Sequence, residues 1–316
     1  MIYYTFYLKQ INTIIFKKGW GKVTENKYKL IAIDLDGTLL NLYGEVSNTN
    51  KQAINMAIQK GIEIVLTSGR MPKAILSIAD EINANNYIIS GNGASVYDVQ
   101  NNKIIYSNYI SRKKVLEIIE MCEKNNMFYS IYTNNAILTK SLNYNILYYN
   151  SENNNKPEDK KIKINILNDI YEYVKEYIND DFLKITICDD NEIVFRSIMN
   201  KLKVIKDVDV LEVSHMSRKI ITYGSQEHEV SYFYTEITNK NVNKWTAIQE
   251  LIKTIGIEKE QVIAIGDNIN DQEMLMNAGV GIATGNSSPK VQEIANDIVA
   301  TNNEDGVAEA INKYIK

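Results

Sequence analysis

Apolar residues in this chain fall in short blocks that stop abruptly at a small or polar residue. Leu30 to Ile33 ends at Asp34, Ile62 to Leu66 at Thr67 and Ser68, and Val262 to Ile265 at Gly266 and Asp267. Tyr87 to Ile89 runs into Ser90-Gly91-Asn92-Gly93, and Val280 to Ala283 into Thr284-Gly285. Unbroken apolar blocks of this length predict strands buried on both faces, as in a parallel sheet. Between the blocks lie helical patterns. The clearest starts at a Ser47 or Asn48 cap, carries Ala53, Ile54, Ala57 and Ile58 on one face, and stops at Gly61. Strand, helix, strand in that order predicts right-handed crossovers and a doubly wound, mainly parallel α/β sheet of five strands. Such sheets bind ligands beyond the carboxyl ends of their strands, where each block leaves its polar residue.

From about Ala94 to Thr222 the rhythm changes. An Asn-rich polar stretch (Tyr149 to Lys163), an alternating segment (Leu183 to Cys188) and a helical patch (Lys113 to Cys122) predict an inserted α+β domain, with Ser151 to Lys163 as a surface loop. The division read from the pattern is 1–28 as an N-terminal extension, 29–93 with 223–316 as the core, and 94–222 as the insert. The first segment opens on an apolar, aromatic run, then meets Lys9, Lys17 and Lys18, without a clear secretory cleavage site. No apolar run reaches the roughly 20 residues that span a bilayer. At 316 residues a two-domain chain is the natural expectation.

Composition narrows the chemistry by exclusion. The 35 basic and 39 acidic residues balance to a net charge of -4, which gives no general pull toward nucleic acid or an anionic membrane. Cys122 and Cys188 are too few for a disulfide framework, and with only His215 and His228 beside them a zinc cluster lacks ligands. A reducing, cytoplasmic setting fits that usage.

The chemistry-bearing residues stand at the block ends. Asp34-Leu35-Asp36-Gly37-Thr38 places two carboxylates one residue apart, followed by a glycine that lets the backbone turn and expose amides. One carboxylate can attack phosphorus while the second protonates the leaving oxygen and later activates water. Taken alone, the pair reads equally well as turn residues after a strand. Gly266-Asp267-Asn268-Ile269-Asn270-Asp271 brings hard oxygen ligands from a second strand end, which suit Mg2+. Thr67-Ser68-Gly69-Arg70 offers a hydroxyl and amides for phosphate oxygens, and Lys244 opens a helix with an ammonium.

Taken along the chain, the motifs at Asp34, at Thr67, at Asn243-Lys244 with Ala247, and at Gly266 resemble the haloacid dehalogenase superfamily, and within it the Cof-type branch with a large α+β cap. The Ser90-Gly91-Asn92-Gly93-Ala94 stretch is similar to that branch's core-to-cap junction, and the matches span about residues 29 to 310. The resemblance implies a Rossmann-like core and a Mg2+-dependent phosphatase acting on a small phosphorylated metabolite, a sugar phosphate or a related phosphomonoester. It implies Asp34 as nucleophile and Asp36 as general acid/base, with Asp34, the Asp36 backbone carbonyl and Asp267 around the metal. Ser68, Gly69, Lys244 and Asn270 would hold the phosphate, with Asp271 steadying Asp267 or Lys244. Ser68 is preferred to Thr67 because it directly precedes Gly69-Arg70. Trp245 departs from the branch, which has glycine after the lysine; it would either narrow the site or pack in the core. His215, Arg218 and Lys219 of the insert are read as solvated surface. A phosphosugar mutase of similar fold and a non-catalytic phosphometabolite-binding regulator are the competing readings. A dehalogenase has no need of Asp36, and an ATP-driven pump would need membrane helices.

Overall fold

The computed structural model describes residues 26–154, 156–177, 179–211, 217–223 and 226–316, with the backbone alone described over 217–223 and 226–228. His215 lies outside these residues, and the side chains of Arg218 and Lys219 lie outside what is described. The chain forms strands β1 (Leu30–Asp34), β2 (Glu63–Thr67), β3 (Tyr87–Ser90), β4 (Ser95–Asp98) and β5 (Lys103–Ser107), with helices α1 (Asn48–Gln59) and α2 (Pro72–Glu81) in the crossovers. There follow α3 (Arg112–Lys124), β6 (Phe128–Thr133), β7 (Ala136–Thr139), α4 (Asn145–Asn154), β8 (Lys163–Ile166), α5 (Ile170–Glu176), β9 (Phe182–Asp189), α6 (Glu192–Leu202), β10 (Val208–Val210), β11 (Ser217–Tyr223) and β12 (Gln226–Asn239). The chain closes with α7 (Lys244–Ile255), β13 (Val262–Gly266), α8 (Gln272–Asn277), β14 (Val280–Thr284), α9 (Pro289–Gln292), β15 (Asp297–Val299) and α10 (Gly306–Tyr314).

The first sheet has the order β15-β14-β13-β1-β2-β3-β4-β5, parallel from β15 to β3 and antiparallel beyond. All five residues of β1 are buried, and the first four alternate between two cores. Ile31 and Ile33 pack with Ala53, Ile54 and Ala57 of α1, Ile75 of α2 and Ile311 of α10. Leu30 and Ala32 pack on the opposite face with Trp245, Ile248 and Leu251 of α7. That period of two is what puts helices on both faces. The chain winds outward from β1 to β3 in one direction and from β13 to β15 in the other. The order therefore reverses between β1 and β13, which opens a crevice at their carboxyl ends.

Helix α1 begins where the sequence places it, because the Ser47 side chain accepts the Asn50 N–H at 3.1 Å. Gly61, just beyond its end, takes φ +78°, a conformation glycine adopts without strain.

The second sheet has the order β10-β12-β9-β6-β7-β8, with β11 paired to β12. Helices α3, α5 and α6 cover one face through Val115, Ile119, Val174, Phe195 and Leu202. The other face carries Tyr132, Ile137 and Leu183, and packs with Ile146 of α4 and with Met71, Ala74 and Ala94 from the first-sheet side. The limits of the insert differ from the expected ones at both ends. Strands β4 and β5 continue the first sheet, because Gly91, Asn92 and Gly93 all take positive φ and turn the chain back onto β3. Strand β12 lies wholly after residue 222, yet pairs with β9 in the second sheet. The expected loop 151–163 is also corrected. Helix α4 runs through Asn154, and its end is fastened to the next segment by Asn153, which donates to the Ile162 carbonyl at 2.7 Å and accepts from its N–H at 2.9 Å.

Candidate active site

Asp34 is the last residue of β1, pairs with Thr67 of β2, and is buried. Its neighbour across the crevice comes from β13, whose last residue, Gly266, is followed by Asp267. Gly37 takes φ +87°, and a Cβ there would stand 2.4 Å from Asp267 Oδ2. Only glycine lets the first loop approach the second so closely. Thr38 Oγ1 then donates to Asp267 Oδ1 at 2.8 Å, which joins the two loops.

Lys244 is fully buried at the start of α7. Asn243 caps that helix by accepting the Thr246 N–H at 2.8 Å, so the first helical residue projects into the crevice. The Lys244 ammonium pairs with Asp34 Oδ1, and with Asp271 Oδ1 at 2.5 Å. Asp271 Oδ2 accepts the backbone N–H groups of Asp267 and Asn268, both at 3.0 Å. Burial alone would draw the lysine pKa down; the charges of Asp271 and Asp34 outweigh it and keep Lys244 firmly protonated. Burial raises the Asp34 pKa well above the carboxylate range, with Asp271 adding to the shift and Lys244 opposing it. Asp267 is pushed up to about 6, by burial first and then by the charge of Asp271.

Three carboxylates against one ammonium is a negative excess in a buried place. One carboxylate oxygen from each of Asp34, Asp267 and Asp271 lies within 4.8 Å of the others. Both Asp271 oxygens are already engaged, which leaves Asp34 and Asp267 as the side chains able to hold a cation. An all-oxygen donor set of this charge fits Mg2+.

The motif Thr67 to Arg70 also converges on this point, since Thr67 pairs with Asp34. Ser68 is buried at the end of β2, and its Oγ accepts the Arg70 N–H at 3.2 Å. The loop after β3 clasps this turn: Asn92 N–H donates to the Ser68 carbonyl at 2.9 Å, and Gly91 N–H to the Arg70 carbonyl at 3.0 Å. A Cβ on Gly69 would stand 2.8 Å from Asn92 Oδ1, the same oxygen that accepts from Asn270 Nδ2 at 3.1 Å. Asn92 Nδ2 donates in turn to Glu236 Oε2 at 2.7 Å, and Glu236 Oε1 pairs with buried Lys184 at 2.5 Å.

Asp36 is placed differently from the other motif residues. Its carboxylate accepts two bonds from Arg70, Nε to Oδ2 at 2.9 Å and an Nη to Oδ1 at 2.7 Å. The structure thus brings Asp34, Lys244, Asp267 and Asp271 together, and sets Ser68, Gly69 and Asn270 around Asn92. Thr38, Arg70 and Asn92 stand in the quoted motifs without having been assigned a role. Lys184, Glu236 and Glu152 of the second-sheet side carried no signal at all. Trp245 is buried in the core behind β1. Among the described residues no helix is long and apolar enough to cross a membrane.

The family model for haloacid dehalogenase-like hydrolases matches residues 31–311. Phosphatase YwpJ of Bacillus subtilis is 29% identical over 289 residues, covering 89% of this chain and 97% of its own. A second B. subtilis relative, 5-amino-6-(5-phospho-D-ribitylamino)uracil phosphatase YcsE, is 25% identical over 287 residues, covering 91% of this chain and 96% of its own. The crystal structure of a haloacid dehalogenase-like hydrolase from Bacteroides thetaiotaomicron superposes with a TM-score of 0.73 at 28% identity, over 90% of this chain and 99% of that one. With the catalytic-type crevice and the appended α+β unit both in place, the chain belongs to the haloacid dehalogenase-like hydrolases and is a phosphatase of their Cof-type branch.

Proposed function

We propose that the protein hydrolyses small phosphomonoesters, sugar phosphates among them, through an aspartyl-phosphate on Asp34, with Mg2+ as cofactor and Asp36 as general acid/base. The observation that carries this reading is the Asp34 carboxylate, buried at the reversal point of the sheet, paired with Lys244 and beside Asp267. Asp34 attacks phosphorus, the bond to the leaving oxygen breaks, and Asp36 delivers a proton to that oxygen. Water activated by Asp36 then attacks phosphorus, the bond to Asp34 breaks, and inorganic phosphate leaves. Lys244, Ser68, Gly69 and Asn270 hold the phosphoryl oxygens in both steps, while Asp271 holds Lys244 and the Asp267 backbone. Asp34, the Asp36 carbonyl and Asp267 would hold the metal, which screens the repulsion between the anionic nucleophile and the anionic ester.

The second-sheet unit, close to the range 94–222 with the shifts at its ends described above, serves as the cap that selects the leaving group. Tyr149 of α4 packs where the two sheets meet, its ring 6.0 Å from that of Tyr132 in the cluster that includes Met71 and Ala74 of the first-sheet side. Aromatic faces and hydrogen-bonding edges of that kind suit a polyhydroxylated leaving group. The name of YcsE, a phosphatase of a phosphorylated ribityl compound, supports the same substrate class. Two buried, unpaired thiols agree with a cytoplasmic setting.

The test is phosphate release by wild type and Asp34→Asn across phosphosugars, nucleotides and 4-nitrophenyl phosphate, with Mg2+ and with EDTA. Mg2+-dependent release that vanishes in the variant is the expected result. Interconversion of phosphosugar isomers without net phosphate release would replace this reading with a mutase.

A further inference from the structure

Asp36 has a half-exposed carboxylate, 51% accessible, on a loop beside a crevice. Left to itself such a side chain rotates among several positions, and a general acid must stay within hydrogen-bond reach of the oxygen it protonates. Arg70 removes that freedom. Its two nitrogens grip both carboxylate oxygens in the planar, two-pronged geometry available to guanidinium and not to an ammonium.

Arg70 is itself fixed. Its backbone N–H donates to Ser68 Oγ at 3.2 Å, its carbonyl accepts from Gly91 N–H at 3.0 Å, and only 7% of the residue is exposed. Its remaining Nη lies 3.6 Å from Glu152 Oε1, in the last turn of α4. Glu152 is held by two neighbours on or just beyond that helix. Tyr148, one turn earlier, donates to Oε1 at 2.9 Å, and Lys156 lies 3.3 Å from Oε2. Helix α4 belongs to the second-sheet unit, so the chain Tyr148, Glu152, Arg70, Asp36 crosses from one unit to the other.

We propose that Arg70 is the positioning residue for Asp36, and that Glu152 positions Arg70 from the cap side, so that the acid/base is aligned by the seating of helix α4 over the crevice. The inference rests on the aspartyl-phosphate reading. It makes the cap a contributor to acid catalysis as well as a cover, since displacement of α4 would leave Arg70 with one anionic partner where it now has two. Misplacing a catalytic group by about 1 Å costs on the order of 10²-fold in rate.

The readout is the leaving-group dependence of kcat/KM, which reports steps through phosphoryl transfer to Asp34. An alkoxide leaving group needs the proton from Asp36, whereas 4-nitrophenolate leaves without one. Arg70→Gln should therefore lower kcat/KM for the best primary-alkyl phosphate of the panel by about 10²-fold, and for 4-nitrophenyl phosphate by far less. Glu152→Gln, which keeps an acceptor for Tyr148, should show the same selectivity at about a tenfold loss on the alkyl ester. Arg70→Lys should fall between wild type and Arg70→Gln. If Arg70→Gln unfolds, Glu152→Gln and Arg70→Lys carry the comparison, with melting curves as the control. Equal losses on both esters, or no loss on either, would overturn the inference. A wild type that releases phosphate from neither ester overturns the reading beneath it, which makes the two failures distinguishable.

Discussion

Lys244→Met tests the electrostatics of the site without reference to any substrate. The ammonium is fully buried and pairs with Asp34 and with Asp271 at 2.5 Å, while Asp267 stands in the same cluster. Methionine fills much the same volume without the charge, so the loss is electrostatic more than a matter of packing. Removing one partner of a buried ion pair costs about 3–5 kcal/mol, because the remaining charge is left without compensation. Part of that cost is recovered when Asp34 takes up a proton, a direction in which burial already pushes it. In a chain of this size the remainder corresponds to a fall of roughly 5–10 °C in the unfolding midpoint. Measured with EDTA at pH 7.5, the single variant should show that fall. Lys244→Met combined with Asp271→Asn should regain much of it, since the amide oxygen still accepts backbone N–H bonds while one excess charge is gone. Adding Mg2+ to the single variant should also raise its midpoint, as a cation replaces the missing one. A single variant that melts with wild type in EDTA, or a double variant less stable than the single, would refute the account of Lys244 as the counter-charge of the cluster.

Two further predictions follow from the same geometry. Asp267, with a folded pKa of about 6 against an unfolded value near 3.9, binds more proton in the native than in the unfolded state between those values. Its contribution to stability therefore falls as pH rises from about 4 to about 6; in EDTA the midpoint difference between wild type and Asp267→Asn should move against wild type across that window, and a difference that is flat or of opposite slope would contradict it. Trp245→Gly should cost about 3–5 kcal/mol in stability through the cavity behind β1 and leave the ranking of substrates unchanged, so a changed ranking at an unchanged melting midpoint would return this side chain to the substrate pocket.

The parts of this molecule that sequence makes legible are those where one physical demand acts on neighbouring residues. The blocks at β1, β2, β3, β13 and β14 are readable because burial on both faces leaves no room for a polar position, and each must release a polar residue at the crevice. Strand β15 escapes that reading: it is three residues long and its central Ile298 is 47% exposed. Strand β5 lies at the sheet edge with no fully buried position, and its short run Ile104-Ile105-Tyr106 releases no motif residue at the crevice to mark it as a core strand. The same logic explains the misplaced limits of the insert. What returns β4 to the first sheet is the left-handed run Gly91-Asn92-Gly93, whose glycines are plain in the sequence but whose direction is not.

The site divides along the same line. Asp34, Asp267 and Lys244 could be read from short motifs because each needs a particular backbone turn beside it, and turns are local. The groups that align them are not local. Asn270 meets Asn92 across 178 positions of sequence, and Asn92 meets Glu236 across 144. Glu152 and Glu236 sit among unremarkable polar residues of the second-sheet unit, and only the fold reveals that one reaches Arg70 and the other Asn92. These two carboxylates end two separate polar chains: Glu152 reaches Arg70, and through it Asp36, by an ion pair at 3.6 Å, and Glu236 reaches Asn92 and Asn270 by hydrogen bonds. A cap that touched the crevice only through apolar contacts could slide over it without altering the catalytic geometry. One joined by polar contacts to both Arg70 and Asn92 cannot move without releasing them, so under the proposed mechanism the choice of leaving group and the alignment of the reacting groups are coupled through the same surface.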